Sequence, residues 1–497
     1  MCKKPKPVSV LTIYATASIL CILNASCQKA RTTYEPTWES LKQHPVPEWF
    51  RDAKFGIYTH WGPRSVPAYG TGWYPHYMYT KGNPTYKYHK ENFGDPLEFG
   101  FKDFIPMFNG KKFNADEWAE LFKKAGARFA GPLTEHHDGF AMWDSDLSKW
   151  DVGDMGPQRD IVGELERAVK KQGMKFVCSF HHAFKWKYFE TSYTPDKRYD
   201  TEDPKYAGID GLYPPPHEKG APESEEFLEN WEAKMKEVVD KYEPDYIYYD
   251  FGWREPTFEE YKKSFITYYY NKAEEWHKEV VITYKDQHLP LGVGILDLER
   301  HRMNTLAKRP WATDTSVDFR AWFYIKDPDY KSVNTLVDVF VDIVSKNGNL
   351  LLNIGPRPDG TIPDEQKEIL LGIGKWLDVN GEAIYETRPW LIYGEGLREE
   401  KGGTVNEEDD KRQYTAEDIR FTTKDGFLYA IALNWPAGDE LTIKSLNSES
   451  ELYTKKIRSV SMLGSNSKLK WSRDEDGLTI KLPREKPCEH AFAFKIR

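Results

Sequence analysis

The sequence predicts a (β/α) barrel followed by a small antiparallel β-sandwich. Three observations carry this: short apolar strands alternate with amphipathic helices through most of the chain, no dinucleotide or phosphate-loop motif interrupts them, and the periodicity changes to short alternating runs after about residue 390. Strands that alternate with helices run parallel and are joined by crossovers. A barrel is the economical arrangement at this length, with a doubly wound sheet as the alternative. The chain has 497 residues, enough for more than one domain, and 39% hydrophobic with 30% charged residues describe a globular protein. A net charge of −9 argues against a nucleic-acid backbone as the main partner. The count of 17 Trp, 30 Tyr and 26 Phe is high; part of it is core, and aromatic rings are also a common means of gripping the apolar faces of sugars.

The elements follow in order. Residues 1–27 read as a targeting segment: Lys3, Lys4 and Lys6, an apolar run from Val8 to Leu23, then Asn24-Ala25-Ser26-Cys27. The ending resembles a bacterial lipobox, which predicts lipidation of Cys27 and a bacterial cell-envelope location, periplasmic or outer-membrane, with that anchor as the only membrane contact. Beyond this segment only Cys178 and Cys488 remain, so no disulfide framework or Cys-rich metal site is expected. Residues 28–390 form the predicted barrel domain. Its first strand is KFGIYTHWG at 54–62. A helix at 114–125, capped by Asn114 with Glu117 three residues on, precedes a strand at 127–134. Helix–strand pairs follow at 160–172 and 174–180, at 225–241 and 245–250, and at 258–277 and 279–284. A strand near 349–354 precedes a helix at 364–378. Residues 190–222, rich in Tyr, Asp, Pro and Gly, read as a long loop over the barrel mouth. Residues 391–497 form the predicted sandwich, with short runs at 419–422, 427–433, 441–443, 456–462, 478–482 and 491–496 after a charged linker at 395–418.

Active sites of such barrels lie at the C-terminal strand ends. Four strand ends carry polar groups among aromatics: His60-Trp61, Glu135-His136-His137, His181-His182 and Asp250-Phe251-Gly252-Trp253. The histidines admit two uses. A metal site on a strand favours His-x-His, because alternate residues share a side, whereas these pairs are adjacent. Neutral imidazoles that both donate and accept hydrogen bonds suit sugar hydroxyls. His182 reads as a buried, satisfied side chain. Asp250 closes an apolar strand against aromatic neighbours, and the next helix begins too late for it to be an N-cap.

Together these motifs resemble glycoside hydrolase family 29, the retaining α-L-fucosidases. The carrying segments are KFGIYTHWG at 54–62, HHDGFAMW at 136–143, Asp250 after its strand, Asp314 to Tyr324, and VSKNGNLLLNIGP at 344–356 followed by Asp359-Gly360. The resemblance covers about residues 48–390, with the sandwich also expected, and implies a fucosylated glycan or related carbohydrate as partner and no cofactor or metal. It implies Asp250 as nucleophile and His60, His136 and His137 as sugar ligands, with Trp73 and Tyr74 lining the pocket and Trp322 near the sugar. Trp61, His181 and Trp253 at the strand ends are added as substrate contacts. The acid/base varies in this family. Ala312 and Gly72 occupy two places where other members carry Glu, which leaves Glu299, with Glu135, Asp297 and Glu255 as alternatives. Glu135, where the family often has Lys, and the His181-His182 pair leave open another L-sugar. A glycan-binding protein without activity and a metallohydrolase rank behind.

Overall fold

The computed structural model describes residues 1, 32–396, 403–407 and 413–497, so the expected targeting segment beyond Met1, with Cys27, lies outside the described residues. No helix among the described residues is long and apolar enough to cross a membrane. Among the described residues nine strands precede residue 360: β1 (Phe55–Thr59), β2 (Phe129–Glu135), β3 (Lys175–Phe180), β4 (Tyr246–Tyr249), β5 (Val281–Lys285), β6 (Ile295–Asp297), β7 (His301–Met303), β8 (Trp311–Ser316) and β9 (Gly348–Ile354). All but β7 join one closed parallel barrel in the order β1-β2-β3-β4-β5-β6-β8-β9. The β1–β9 pairing, Phe55 opposite Leu350 through Thr59 opposite Ile354, closes the cylinder and removes the doubly wound alternative. Two barrel strands had weak signals: β6, Ile-Leu-Asp, is three residues long, and β8 reads Trp-Ala-Thr-Asp-Thr-Ser.

Strand alternation sorts the side chains into two cores. Tyr58, Phe129, Val177, Tyr246, Tyr248, Val281, Ile295, Ala312 and Leu351 fill the barrel interior. Phe50, from the helix Glu48–Ala53, packs its ring against Phe129 and Tyr246, with centroids 6.0 and 5.6 Å away, and plugs one end. The intervening residues Ile57, Ala130, Phe176, Cys178, Ile247 and Ile282 face the surrounding helices. These helices form for local reasons as well. In Ala115–Lys124 the Asn114 side chain accepts from the amides of Asp116 and Glu117, acidic residues start the helix and lysines end it.

The C-terminal region contains β10 (Arg388–Glu395), β11 (Thr404–Asn406), β12 (Ile419–Lys424), β13 (Phe427–Ala432), β14 (Glu440–Ile443), β15 (Val460–Met462), β16 (Trp471–Arg473), β17 (Leu478–Lys481) and β18 (Phe492–Ile496). A sheet ordered β10-β12-β13-β18-β15 packs on a second, β14-β17-β16, through Phe421, Leu428, Ile443, Ile480 and Phe494. The other face of the larger sheet meets the barrel's outer helices, and period-two alternation puts Arg420 there, between Ile419 and Phe421. Its Nε donates to Asp342 Oδ1 at 2.6 Å. Asp342, fully buried on the helix Val333–Ser345, also receives Lys346 at 2.8 Å and meets Arg302 at 3.1 Å. Burial opposes the charge of Asp342, but these three cations hold its carboxyl far below its ordinary range.

Asp342→Asn keeps the shape and leaves three buried cations without their anion. Urea denaturation is expected to show a loss of about 3–5 kcal/mol, the range for breaking a buried ion pair from one side. Phe340→Leu, elsewhere on the same helix, should cost less than half of that by the same measurement.

Candidate active site

The strand parity that fills the barrel also aims its last polar residues inward. His60 follows Tyr58, Ser179 and His181 follow Val177, Asp250 follows Tyr248, Lys285 follows Val281 and Thr283, and Asn353 follows Leu351. The chain then turns away at once. Gly252 has a φ of +105°, and a β-carbon there would lie 2.8 Å from the Phe184 amide nitrogen, so only glycine permits the turn that leaves Asp250 at the strand end.

Asp250 is the centre of the site. Its side chain is 5% exposed, and Lys285 Nζ donates to Oδ1 at 2.5 Å. His181 Nδ1 lies 2.8 Å from Oδ2, and His137 Nε2 lies 3.4 Å from the same oxygen. Burial alone would protonate this carboxyl. Lys285, His181 and His137 overcome that and hold it well below the carboxylate range. Lys285 also donates to Glu299 Oε2 at 2.6 Å. Both bonds end on one nitrogen, so the two carboxylate oxygens are at most about 5 Å apart, the separation of retaining rather than inverting glycosidases. Glu299 is 37% exposed at the rim, where a leaving group and a water can reach it. Partial burial raises its pKa. Lys285 opposes that rise, and Asp314 and Asp250 add to it.

The histidines have assigned tautomers. The His60 amide and Nδ1 both approach Asn353 Oδ1, at 2.9 and 2.8 Å, so that atom is the amide oxygen and His60 Nδ1 carries a proton. Its Nε2 therefore offers a lone pair. His136 is the reverse: Nδ1 accepts the His137 amide at 2.6 Å, so Nε2 is a donor. His181 Nε2 accepts from Ser179 Oγ at 2.8 Å while Nδ1 donates to Asp250. Burial keeps all three rings neutral, with His181 lowered to about 4 and His60 and His136 well below their usual value, assisted by the Arg64 cation beside them. His60, His136 and His181 bring ring nitrogens within 4.8 Å of one another, as do His137 and His181 with an Asp250 oxygen. With His136 Nε2 protonated and both His181 nitrogens engaged, these sets present a mixed donor and acceptor surface rather than converging lone pairs. That suits hydroxyls better than a metal ion.

Aromatic walls complete the pocket. Trp322 is 5.3 Å from His60 by centroid, and Trp73 is 5.7 Å from His137 and stacked on Phe251. Both tryptophans are partly exposed. Three other predicted contacts are corrected. Trp61 is buried against Phe108, Phe113 and Trp118, and its indole donates to the Arg357 carbonyl. Tyr74 packs on Phe104 and its hydroxyl bonds His89. Trp253 lies behind the site on Tyr249 and donates to the Asp250 carbonyl. Trp61 and Trp253 keep the parity of the outward-facing residues Ile57 and Tyr249, and Tyr74 lies on a short helix outside the barrel strands.

Among the acid/base alternatives, Glu135 is removed from the pocket. A register shift in β2 turns it outward, and both of its oxygens accept from buried Lys234 at 2.9 and 3.0 Å. Glu255 is exposed and pairs with Lys187. Asp297 is buried at the end of β6, level with Lys285 and near Tyr248, and burial together with Asp314 raises its pKa far above the usual range. His182 bonds the Trp231 carbonyl outside the pocket. Sequence reasoning missed Lys285, Arg64, Ser179 and Asn353. Lys285 carried a usable signal, a lysine at the C-terminal end of an otherwise apolar strand.

A closed barrel with a buried carboxylate, a second carboxyl within about 5 Å and an imidazole and indole lining defines a retaining glycosidase. The alpha-L-fucosidase family model matches residues 21–382 and the alpha-L-fucosidase C-terminal domain model residues 411–497, so the chain belongs to the alpha-L-fucosidase family. It is 33% identical to the tissue alpha-L-fucosidase of Rattus norvegicus, over 96% of each chain, and 30% identical to the plasma alpha-L-fucosidase of Homo sapiens, over 94% of this chain and 92% of that one. The structure of Thermotoga maritima alpha-fucosidase in complex with fucose superposes with a TM-score of 0.75 at 31% identity, covering 93% of this chain and all of that one. The expected bacterial envelope location is corrected by these relatives, since the curated ones are tissue and plasma enzymes of animals.

His181→Phe keeps a ring of similar size but removes the N–H that supports the Asp250 anion. The Asp250 pKa should rise, so the acidic limb of the kcat/KM profile should move to higher pH than in the wild type. A pH–rate series on an aryl glycoside substrate reads this directly.

Proposed function

We propose that the protein hydrolyses terminal α-L-fucosyl residues from glycans with retention, using Asp250 as nucleophile and Glu299 as acid/base. The observation that carries this reading is the single Lys285 ammonium shared by the two carboxyl groups. The pair divides its labour by environment. Asp250, buried and held as an anion, attacks the anomeric carbon. Glu299, at the rim and with a raised pKa, protonates the departing glycosidic oxygen. The resulting ester at Asp250 carries no charge. Lys285 then has Glu299 as its nearest remaining anion partner, which lowers the Glu299 pKa when it must take a proton from water. The second step releases the sugar and restores both groups.

His60 Nε2 and the His136 Nε2–H read two ring hydroxyls in opposite senses, one as donor and one as acceptor. A hydroxyl of wrong configuration leaves a buried partner unpaired, which is how such a site discriminates between sugars. Trp73 and Trp322 cover the less polar ring faces, with His181 keeping the nucleophile oriented.

Asp250→Ala should lower kcat on an aryl α-L-fucoside by at least about a thousandfold, and unchanged turnover would refute the nucleophile assignment. Glu299→Gln should retain far more activity on an activated aryl leaving group than on a fucosyl-oligosaccharide, lose the alkaline limb of its pH profile, and recover rate with azide as an external nucleophile. Lys285→Met removes a cation that lowers both carboxyl pKa values. Both limbs of the kcat/KM profile should therefore move to higher pH.

A further inference from the structure

Strand β11 leaves the C-terminal sandwich and pairs antiparallel with β7, which lies in the barrel's connection between β6 and β8. Asn406 is opposite His301, Val405 opposite Arg302 and Thr404 opposite Met303. Residues directly opposite in an antiparallel pair share a face. One face of this ribbon carries Val405 and Arg302, and Arg302 is held there by Asp342. The other face carries Asn406, Thr404 and His301. This face borders a cavity of about 460 Å³ whose remaining wall includes Glu299, Lys285 and Phe251.

The ribbon is pinned at both ends. The Asn304 amide donates to the Gly403 carbonyl at 2.9 Å. At the far end Glu407, about 10% exposed, receives Arg300 at 2.8 Å, Lys331 at 2.7 Å and the Thr315 hydroxyl at 2.7 Å, and its amide donates to the Arg300 carbonyl. Arg300 immediately follows Glu299 and lays its guanidinium over Trp322 at 4.7 Å. The sandwich-derived segment thus reaches the carboxyl at the pocket rim and is fixed there by buried charge.

We propose that this cavity is the binding site for the leaving-group sugar and that the C-terminal domain, through Thr404 and Asn406, supplies its outer wall. The inference rests on Glu299 being the acid that protonates the leaving oxygen, since the group carrying that oxygen must lie on its side of the pocket. The volume suits one or two sugar rings. Hydroxyl, amide and imidazole groups across from a phenyl face match the hydroxyl edge and apolar face of a pyranose better than an aliphatic or anionic leaving group. Phe251 also stacks on Trp73, so one aromatic pair spans the two subsites.

The test compares kcat/KM on a fucosyl-disaccharide and on an activated aryl α-L-fucoside for the full-length wild type, Asn406→Ala, Thr404→Ala and the double variant. The expected result is a three- to tenfold fall in the ratio of disaccharide to aryl activity for each single variant, the span of one neutral hydrogen bond, and a larger fall for the double. A ratio that stays constant, whether both activities fall together or neither moves, overturns the proposal: the strand is then structural or remote. A folded wild type that releases sugar from neither substrate overturns the fucosidase reading itself, and this inference with it.

Discussion

One buried ammonium organises the active end of this molecule. Lys285 enters a barrel mouth where four carboxyl groups crowd together, Asp250, Asp297 and Asp314 buried and Glu299 at the rim. Burial would neutralise a lysine, but these acids together hold its pKa well above the ordinary value. In return it ionises Asp250 at the bottom, while Glu299 at the rim keeps a raised pKa. A cation that touches both carboxyls of the proposed pair responds to the charge of each, so a change of charge at one alters the proton affinity of the other. Without it, the pKa of both acids would rise, since Lys285 lowers each.

The same use of buried charge recurs where the domains meet. Asp342 collects Arg420 from the sandwich and Lys346 and Arg302 from the barrel, and Glu407 collects Arg300, Lys331 and Thr315. Each anion ties a segment of the C-terminal region to the β6–β8 connection that carries Glu299. The sandwich is therefore coupled to the active end of the barrel through directional contacts with little tolerance for displacement. Its own apolar core, around Phe421, Ile480 and Phe494, faces away from the site and holds the sheets together.

The pocket's selectivity rests on second contacts. Asn353 sets the proton on His60, the His137 amide sets it on His136, and Ser179 with Asp250 sets it on His181. Asn353, Ser179 and the His137 amide act from behind the imidazoles, while Asp250 is itself the proposed nucleophile. They decide whether each imidazole presents a donor or an acceptor, which is the difference between reading a hydroxyl and repelling one.

Period-two alternation was legible along the chain, and it carried the barrel, the two faces of its strands and the inward aim of His60, His181 and Asp250, because a strand's side-chain direction is a local property of its backbone. The helix cap at Asn114 and the sandwich runs were legible for the same reason. Direction beyond the strand ends was not. Trp61, Tyr74 and Trp253 turn into the core, Glu135 is drawn out of the barrel by Lys234, and Lys285 meets Glu299 at a separation of 14 positions. In turns and loops each side chain goes to whichever distant partner packs or neutralises it best. Local sequence thus determined which strands form and which of their residues point inward, while tertiary packing alone decided the tautomers, the shared ammonium and the strand that reaches the pocket from the second domain.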